Sequence, residues 1–306
     1  MFNLSSEGFS GTTLRENPPG ESPTVSSAVV RTRIAPTPSG LLHVGTAVNF
    51  YLTWLFGRLN DGEVLLRIDD ADPNMRQQEY VDDIRESIKW LGLEVDQALP
   101  YQSSRRDRYL EALNELRQSG TVFACSCSRS VVRRASPDNV YPGTCRSAGL
   151  SLDEPSLTWR ADVSGLLPFP VVRQKSGVAS YHIASLCDDV DFAISHVIRG
   201  ADLFAATDAQ RRLASLAPSL APFLTTSVLF HPLVYDANGV KLSKSLGAAS
   251  LSEMRLRGEG PDSILQLLAA MLGIQRTVST IHEVLNALRV NDGSLNVLSS
   301  RDPTLV

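Results

Sequence analysis

Pro38-Ser39-Gly40-Leu41-Leu42-His43-Val44-Gly45-Thr46 follows a short apolar run and leads straight into a long helical pattern; the fold of this 306-residue chain is read from it. A strand that passes through a Pro/Gly turn into a helix places backbone N–H groups and the positive end of a helix dipole at a strand end. Phosphate binds well at such a place. Gly45 lets a ligand approach the backbone closely. A second stretch, Lys241-Leu242-Ser243-Lys244-Ser245, lies 198 positions beyond His43 and just after the turn signal Asn238-Gly239. Its two lysines supply mobile positive charge. Taken alone, the first stretch is also ordinary strand–turn–helix architecture and the second a solvated turn.

Working outward, residues 29–35 read as a first strand and 43–59 as a helix, with Val44, Val48, Tyr51, Leu52, Leu55 and Leu59 at helical spacing. Asn60-Asp61-Gly62 breaks that helix. Residues 64–68 suit a buried parallel strand, and a second helix covers about 78–91. Ser103-Ser104 is expected to cap a third helix reaching about Ser119. This alternation predicts an α/β fold with a doubly wound parallel sheet. Residues 123–170, rich in Cys, Pro, Gly and Ser, read as an insertion between two halves, 29–122 and 171–290. In the second half, α/β character resumes at 171, with a helix from about Thr207, a strand at 227–230 and closing helices at 261–272 and 279–288. Residues 1–28 are expected to be a disordered leader and 291–306 a loose tail.

Composition narrows the class. A 43% hydrophobic content supports a sizeable core, and a net charge of −4 excludes a global basic field for nucleic acid, so any RNA contact must be local. A local cluster exists: Arg129, Arg133, Arg134 and Arg146, with Arg105, Arg106 and Arg108 earlier, the last group reading by default as a solvated helix face. There is no apolar secretion segment and no run long enough to span a membrane. Four cysteines are too few for a disulfide framework, which favours a reducing, cytoplasmic setting.

Three of those cysteines, Cys125, Cys127 and Cys145, fall within 21 residues. Thiolates at this spacing can grip one tetrahedral metal, which still needs a fourth ligand; no His lies between Cys127 and Cys145, and Tyr141 is the available candidate. Three buried free thiols are the alternative. Arg33 and Arg199 are predicted at strand ends, where ligands bind in open α/β sheets, and a guanidinium fork suits a carboxylate. A surface ion pair with Asp191 or Asp202 is the plainer reading of Arg199. For Asp69, Asp70 and Asp72 it is a solvated strand end.

The pair of stretches resembles the paired nucleotide-binding signatures of class I aminoacyl-tRNA synthetases. The runs Arg33-Ile-Ala-Pro-Thr-Pro-Ser-Gly, Leu66-Arg-Ile-Asp-Asp-Ala-Asp72 and His196-Val-Ile-Arg-Gly-Ala-Asp202, with the cysteine insertion, resemble the glutamyl branch of that family over about residues 30–290. The resemblance implies a Rossmann-type catalytic domain with a small zinc-binding insertion and C-terminal helices. It implies a ligase in which His43, Gly45, Lys241 and Lys244 are catalytic and His43, Gly45, Thr46 and Lys244 hold ATP, which comes with Mg²⁺. Glutamate is then contacted by Arg33, Ala35, Thr37, Asp69, Tyr181 and Arg199, and Zn²⁺ is held by Cys125, Cys127, Tyr141 and Cys145. The chain departs from the pattern at Asp69, where glutamyl enzymes carry Glu, and at His182, where they carry Asn.

Full-length glutamyl enzymes carry a further helical domain that reads the anticodon, and this sequence stops where that domain would begin. It therefore resembles the shortened members, whose catalytic core approaches the anticodon loop of tRNA(Asp) and esterifies its queuosine. Transfer to another tRNA or a small amine, or a non-catalytic synthetase-like role, are the alternatives; the intact His43, Gly45, Lys241 and Lys244 speak against the last.

Overall fold

The computed structural model describes residues 29–72, 77–136, 140–235, 249–290 and 293–301. Lys241 and Lys244 lie outside the described residues, as do the expected leader and the end of the expected tail.

The first half opens with β1 (Arg31–Ile34), α1 (Val44–Leu59) and β2 (Glu63–Leu66), and continues through α2 (Gln78–Trp90), β3 (Gln97–Ala98) and α3 (Arg106–Gln118). Strands β1, β2 and β3 pair in parallel, Arg33 opposite Leu65 and Leu65 opposite Gln97. His43 caps α1, whose apolar face is buried from Ala47 through Leu55. The helix ends at Asn60 and turns at Asp61, which takes the left-handed conformation at φ 48°. At Gly57 the helix approaches β2 so closely that a Cβ would come within 2.5 Å of the Val64 side chain.

The insertion is built on β4 (Val122–Cys125), α4 (Arg129–Ala135), β5 (Thr158–Ala161) and β6 (Val171–Arg173). Strand β5 is the centre of an antiparallel sheet with β4 and β6. Residues 171–173 therefore belong to this sheet and not, as the sequence predicts, to the resumed parallel fold. That fold resumes with α5 (Tyr181–Asp191), β7 (His196–Gly200), α6 (Phe204–Ala214) and β8 (Ser227–His231), and closes with α7 (Leu251–Leu256), α8 (Asp262–Met271) and α9 (Ile281–Val290).

Strands β7 and β8 pair in parallel. The Ser195 amide donates to the Arg31 carbonyl at 2.9 Å, seating β7 beside β1 and joining the two halves. Alternate strand residues face opposite sides. Val64, Leu66 and Ile198 enter one core with α1, α2, α8 and α9, while Leu65 and Val197 enter another with α3, α5 and α6. Helices thus cover both faces, the arrangement expected of a doubly wound parallel sheet.

The expected Ser103-Ser104 cap does not form. Ser103 gives both its amide (3.0 Å) and its hydroxyl (2.7 Å) to the Asp70 carboxylate, 102–104 form a 3₁₀ turn, and α3 begins at Arg106 without a side-chain cap.

Candidate functional site

The carboxyl ends of β1, β2 and β7 and the N-terminus of α1 surround a cleft of about 670 Å³. Of the residues the sequence singles out, Arg33, Ala35, Thr37, His43, Gly45, Thr46, Asp69, Tyr181 and Arg199 all line it. They come from four separate elements and the turns between them, and only the parallel topology unites them. Asn49 and His231, which the sequence reading passed over, line it as well. His231 Nδ1 donates to the Pro232 carbonyl at 2.8 Å, leaving Nε2 to accept from Asn49 at 3.1 Å. Burial lowers the His231 pKa, in keeping with this neutral tautomer.

At the α1 end, His43 Nδ1 accepts from the Thr46 amide at 3.3 Å, and the imidazole also reaches the Thr46 hydroxyl at 3.2 Å. The first turn is thus partly capped by its own histidine, and Thr46 N–H is committed within the chain. His43 also forms an antiparallel bridge with Ser250, and the Leu251 amide donates to the Leu42 carbonyl at 2.9 Å. Val234 lines the cleft. The described residues flanking 236–248 are therefore at the cleft on both sides.

The end of the cleft at Arg33 and Arg199 is a buried charge network. Arg33 and Arg199, on neighbouring strands, are 6% and 3% exposed. Arg33 Nε donates to Asp189 Oδ1 at 3.0 Å, and Arg67 donates to the same oxygen at 2.6 Å. Although burial opposes it, the guanidiniums of Arg33, Arg67 and Arg199 hold the Asp189 carboxyl below the ordinary range. Asp69 and Asp70 are buried, not a solvated strand end. Arg67 donates to both Asp69 oxygens, and burial nonetheless raises the Asp69 carboxyl. Arg199 makes no ion pair with Asp191 or Asp202. One of its amino groups donates to Thr207 Oγ1 (2.9 Å) and Gln210 Oε1 (2.5 Å); the other, NH2, is buried without a partner among the described residues. Burial, with Arg199 beside it, pushes the His182 imidazole down to about 4. Tyr181 begins α5 at the rim, 38% exposed.

Arg67, Asp189 and Gln210 escaped the sequence reading. A run such as Leu66-Arg67-Ile68 carries a signal, a charge inside an apolar strand, but its partner lies 122 residues away. Two of the basic residues at the start of α3 are also committed: Arg105 pairs with Asp188 and Asp191, and Arg108 with Asp191. Arg146 pairs with Asp162.

In the insertion, the sulfurs of Cys125, Cys127 and Cys145 lie within 4.8 Å of one another. Cys127 and Cys145 are 3.5 Å apart, and Tyr141 Oη is 3.4 Å from Cys125 Sγ and 4.0 Å from Cys127 Sγ. Tetrahedral zinc with bonds of about 2.3 Å to sulfur sets neighbouring sulfurs about 3.8 Å apart, so this donor set fits the ion. Against the burial that raises it, hydrogen bonding from Tyr141, the Ser126 backbone and Cys127 lowers the Cys145 thiol to about 6. Cys187 is fully buried in the main core.

A parallel sheet whose strand ends and first helix meet in one cleft is the ligand-binding arrangement of open α/β folds, and the comparisons give the family. Residues 29–144 match the family described as tRNA synthetases class I (E and Q), catalytic domain. The chain is 36% identical over 278 residues to a glutamyl-Q tRNA(Asp) synthetase of Prochlorococcus marinus (strain MIT 9313), covering 87% of this chain and 90% of the relative. A second, from Synechococcus sp. (strain CC9605), is 36% identical over 249 residues, covering 79% and 83%. The chain belongs to this family of class I aminoacyl-tRNA synthetases, and it is a ligase. Glutamate–tRNA ligase of Francisella tularensis subsp. novicida (strain U112) is 31% identical over 271 residues, 79% of this chain and 57% of that longer protein. Among solved structures, glutamate–tRNA synthetase from Elizabethkingia anophelis shares the fold at a TM-score of 0.63 and 20% identity, covering 84% of this chain and 65% of that one. Among the described residues no helix is long and apolar enough to cross a membrane.

Proposed function

We propose that the chain activates glutamate with ATP and transfers it to the queuosine of tRNA(Asp), in its anticodon loop. One observation carries the amino-acid assignment: two buried guanidiniums stand at the ends of neighbouring strands, and Arg199 NH2 has no partner among the described residues. An unsatisfied buried cation is costly, and a dicarboxylic substrate relieves that cost with a second carboxylate that glutamine lacks.

In this reading Arg199 takes the side-chain carboxylate of glutamate. Arg33, Ala35, Thr37 and Tyr181 shape the pocket around it, and Asp69 faces the ammonium. One oxygen of the α-carboxylate attacks the α-phosphorus of ATP and pyrophosphate leaves; a magnesium ion accompanying ATP would offset charge on the phosphates. A hydroxyl of queuosine then displaces AMP to form the ester. His43, Gly45 and Thr46 hold the nucleotide at the start of α1, and Lys241 and Lys244 stabilise charge on the departing pyrophosphate. The contact of His43 with Ser250 supports this placement, because it brings the chain just after the lysines back to the ATP end. Cys125, Cys127, Tyr141 and Cys145 would hold one zinc ion, which cross-links the insertion and takes no part in the chemistry.

The test is ATP–pyrophosphate exchange with each of the twenty amino acids in the absence of tRNA, followed by transfer assays on tRNA(Asp) with and without queuosine. Exchange with glutamate and transfer only to the queuosine-containing RNA are the expected results. Equal exchange with glutamine overturns the amino-acid assignment, and transfer to the unmodified RNA overturns the acceptor.

A further inference from the structure

The sheet gives the catalytic cleft two unlike sides. Val197 enters the core with α5 and α6, and Arg199 follows it there to meet Thr207 and Gln210 on α6. Arg33, opposite Leu65 of that same core, reaches Asp189 on α5. Ile198 turns the other way, into the core around α1. Alternation places Gly200 on that α1 side. His231, its partner on β8, lies there too, because Phe230 joins the α5–α6 core. The guanidiniums thus belong to one side, and Asn49, Gly200 and His231 to the other.

On the α1 side one amide is locked in a single orientation. The Pro232 carbonyl can only accept, so His231 Nδ1 carries the proton and Nε2 carries none. His231 is 4% exposed. Its Nε2 accepts from Asn49 Nδ2 at 3.1 Å, and the Ile198 carbonyl accepts from the same nitrogen at 3.3 Å. Both amide protons are therefore used, and a flipped amide would set Oδ1 against two acceptors. Asn49 is half-buried and lines the cleft, and its Oδ1 has no hydrogen bond among the described residues. Whatever meets it must donate.

The surroundings say which donor. Asn49 stands one turn beyond Gly45 on the same face of α1, so it follows directly on the end that suits phosphate. Gly200 faces it without a side chain; a Cβ there would stand 3.2 Å from the Leu233 side chain and 3.7 Å from His231 Cε1. Two glycines and the apolar Leu233 and Val234 suit a flat, uncharged ring. Ribose hydroxyls both donate and accept, so a locked acceptor gains nothing over a free amide with them. The exocyclic amino group of adenine only donates. We propose that Asn49 Oδ1 accepts from the 6-amino group of adenine and thereby selects ATP over 6-oxo purine triphosphates, with His231 as the positioning residue that locks the amide. This rests on the ATP-dependent reading above and is independent of the amino acid and the acceptor.

The experiment titrates the full chain with ATP, with purine riboside triphosphate, which lacks the amino group, and with inosine triphosphate, whose 6-oxo group would face Oδ1. Exchange with the amino acid that the wild type activates is measured alongside. Wild type should bind ATP roughly 5-fold or more tighter than the purine analogue and roughly 10-fold or more tighter than inosine triphosphate. Asn49→Ala should bring the three within about 2-fold of one another. His231→Phe should narrow the ratio of ATP to inosine triphosphate roughly 3-fold or more while leaving the KM for the amino acid unchanged. Equal binding of the three nucleotides by wild type, a comparison that needs no variant, overturns the proposal, as does an ATP preference that survives in Asn49→Ala. An unchanged ratio in His231→Phe removes His231 from the positioning role. Selective ATP binding that depends on Asn49, in a wild type that exchanges with no amino acid, instead overturns the ligase reading alone.

Discussion

Asp69 holds Arg67 by both carboxylate oxygens, at 2.6 Å to Nε and 3.3 Å to an amino nitrogen. The acid that would face a substrate ammonium is thus already neutralising a fully buried arginine. Its remaining lone pairs, not its full charge, are what a substrate meets. Asp69→Asn should therefore raise the KM for glutamate at least 10-fold in pyrophosphate exchange while changing the KM for ATP little. Asp69→Glu, assayed beside it with glutamate, glutamine and aspartate, should keep glutamate first. A switch to glutamine or aspartate in the wild type, reversed by Asp69→Glu, would show that the shorter acid has remodelled the pocket.

Arg199→Ala should cost about 2–5 kcal/mol in kcat/KM for glutamate, the scale for losing one partner of a buried charged pair. Arg199→Lys should recover little, because an ammonium cannot reproduce the fork held by Thr207 and Gln210. Full activity in Arg199→Ala would remove this residue from the pocket.

Lys244→Ala should slow activation roughly 100-fold or more, as when one preorganised electrostatic partner is removed, with glutamate binding preserved. Rapid-quench measurement of adenylate formation separates the two. Near-normal rates would reduce the 241–245 stretch to a surface turn.

Purified protein should contain about one zinc per chain, and Cys145→Ser should lose most of it, whereas Cys187→Ser should lose none. Elemental analysis of the two variants decides this. Well-folded, metal-free wild type would leave the cysteine cluster as packed thiols.

His182 titrates near 4, well under its ordinary value of about 6.5, because burial and Arg199 disfavour the imidazolium. A depressed histidine contributes stability that is complete above about 6.5 and is lost as pH falls toward 4, since only the unfolded chain then takes up the proton. The loss approaches roughly 3 kcal/mol at most. Urea unfolding between pH 7 and 4.5 should show wild type losing more stability than His182→Asn. Parallel curves would rule out His182 as the source.

The legible parts of this molecule were those written in neighbouring residues. A Pro/Gly turn before His43 and the apolar spacing after it located α1 to within one residue, and Cys125-Ser-Cys127 marked the cluster that Cys145 completes. The reading failed where a distant partner decided the outcome. Ser103-Ser104 has the chemistry of a cap, but the Asp70 carboxylate captured Ser103 first. Arg105 and Arg108 look like a solvated face until α5 brings Asp188 and Asp191 to them. The antiparallel pairing of β6 was hidden because a three-residue strand, Val171-Val172-Arg173, reads alike in either direction.

The seam between Arg31 and Ser195 spans 164 positions in the chain. Closing a loop of that length is among the last and slowest events available to a folding domain, because its entropy must be lost before the new contacts repay it. Arg33 lies two residues beyond one side of the seam and Arg199 four beyond the other. During synthesis, the pocket between them cannot exist until the strand bearing Arg199 has left the ribosome and docked, and of the proposed nucleotide contacts His43, Gly45 and Thr46 emerge before that strand and Lys244 after it.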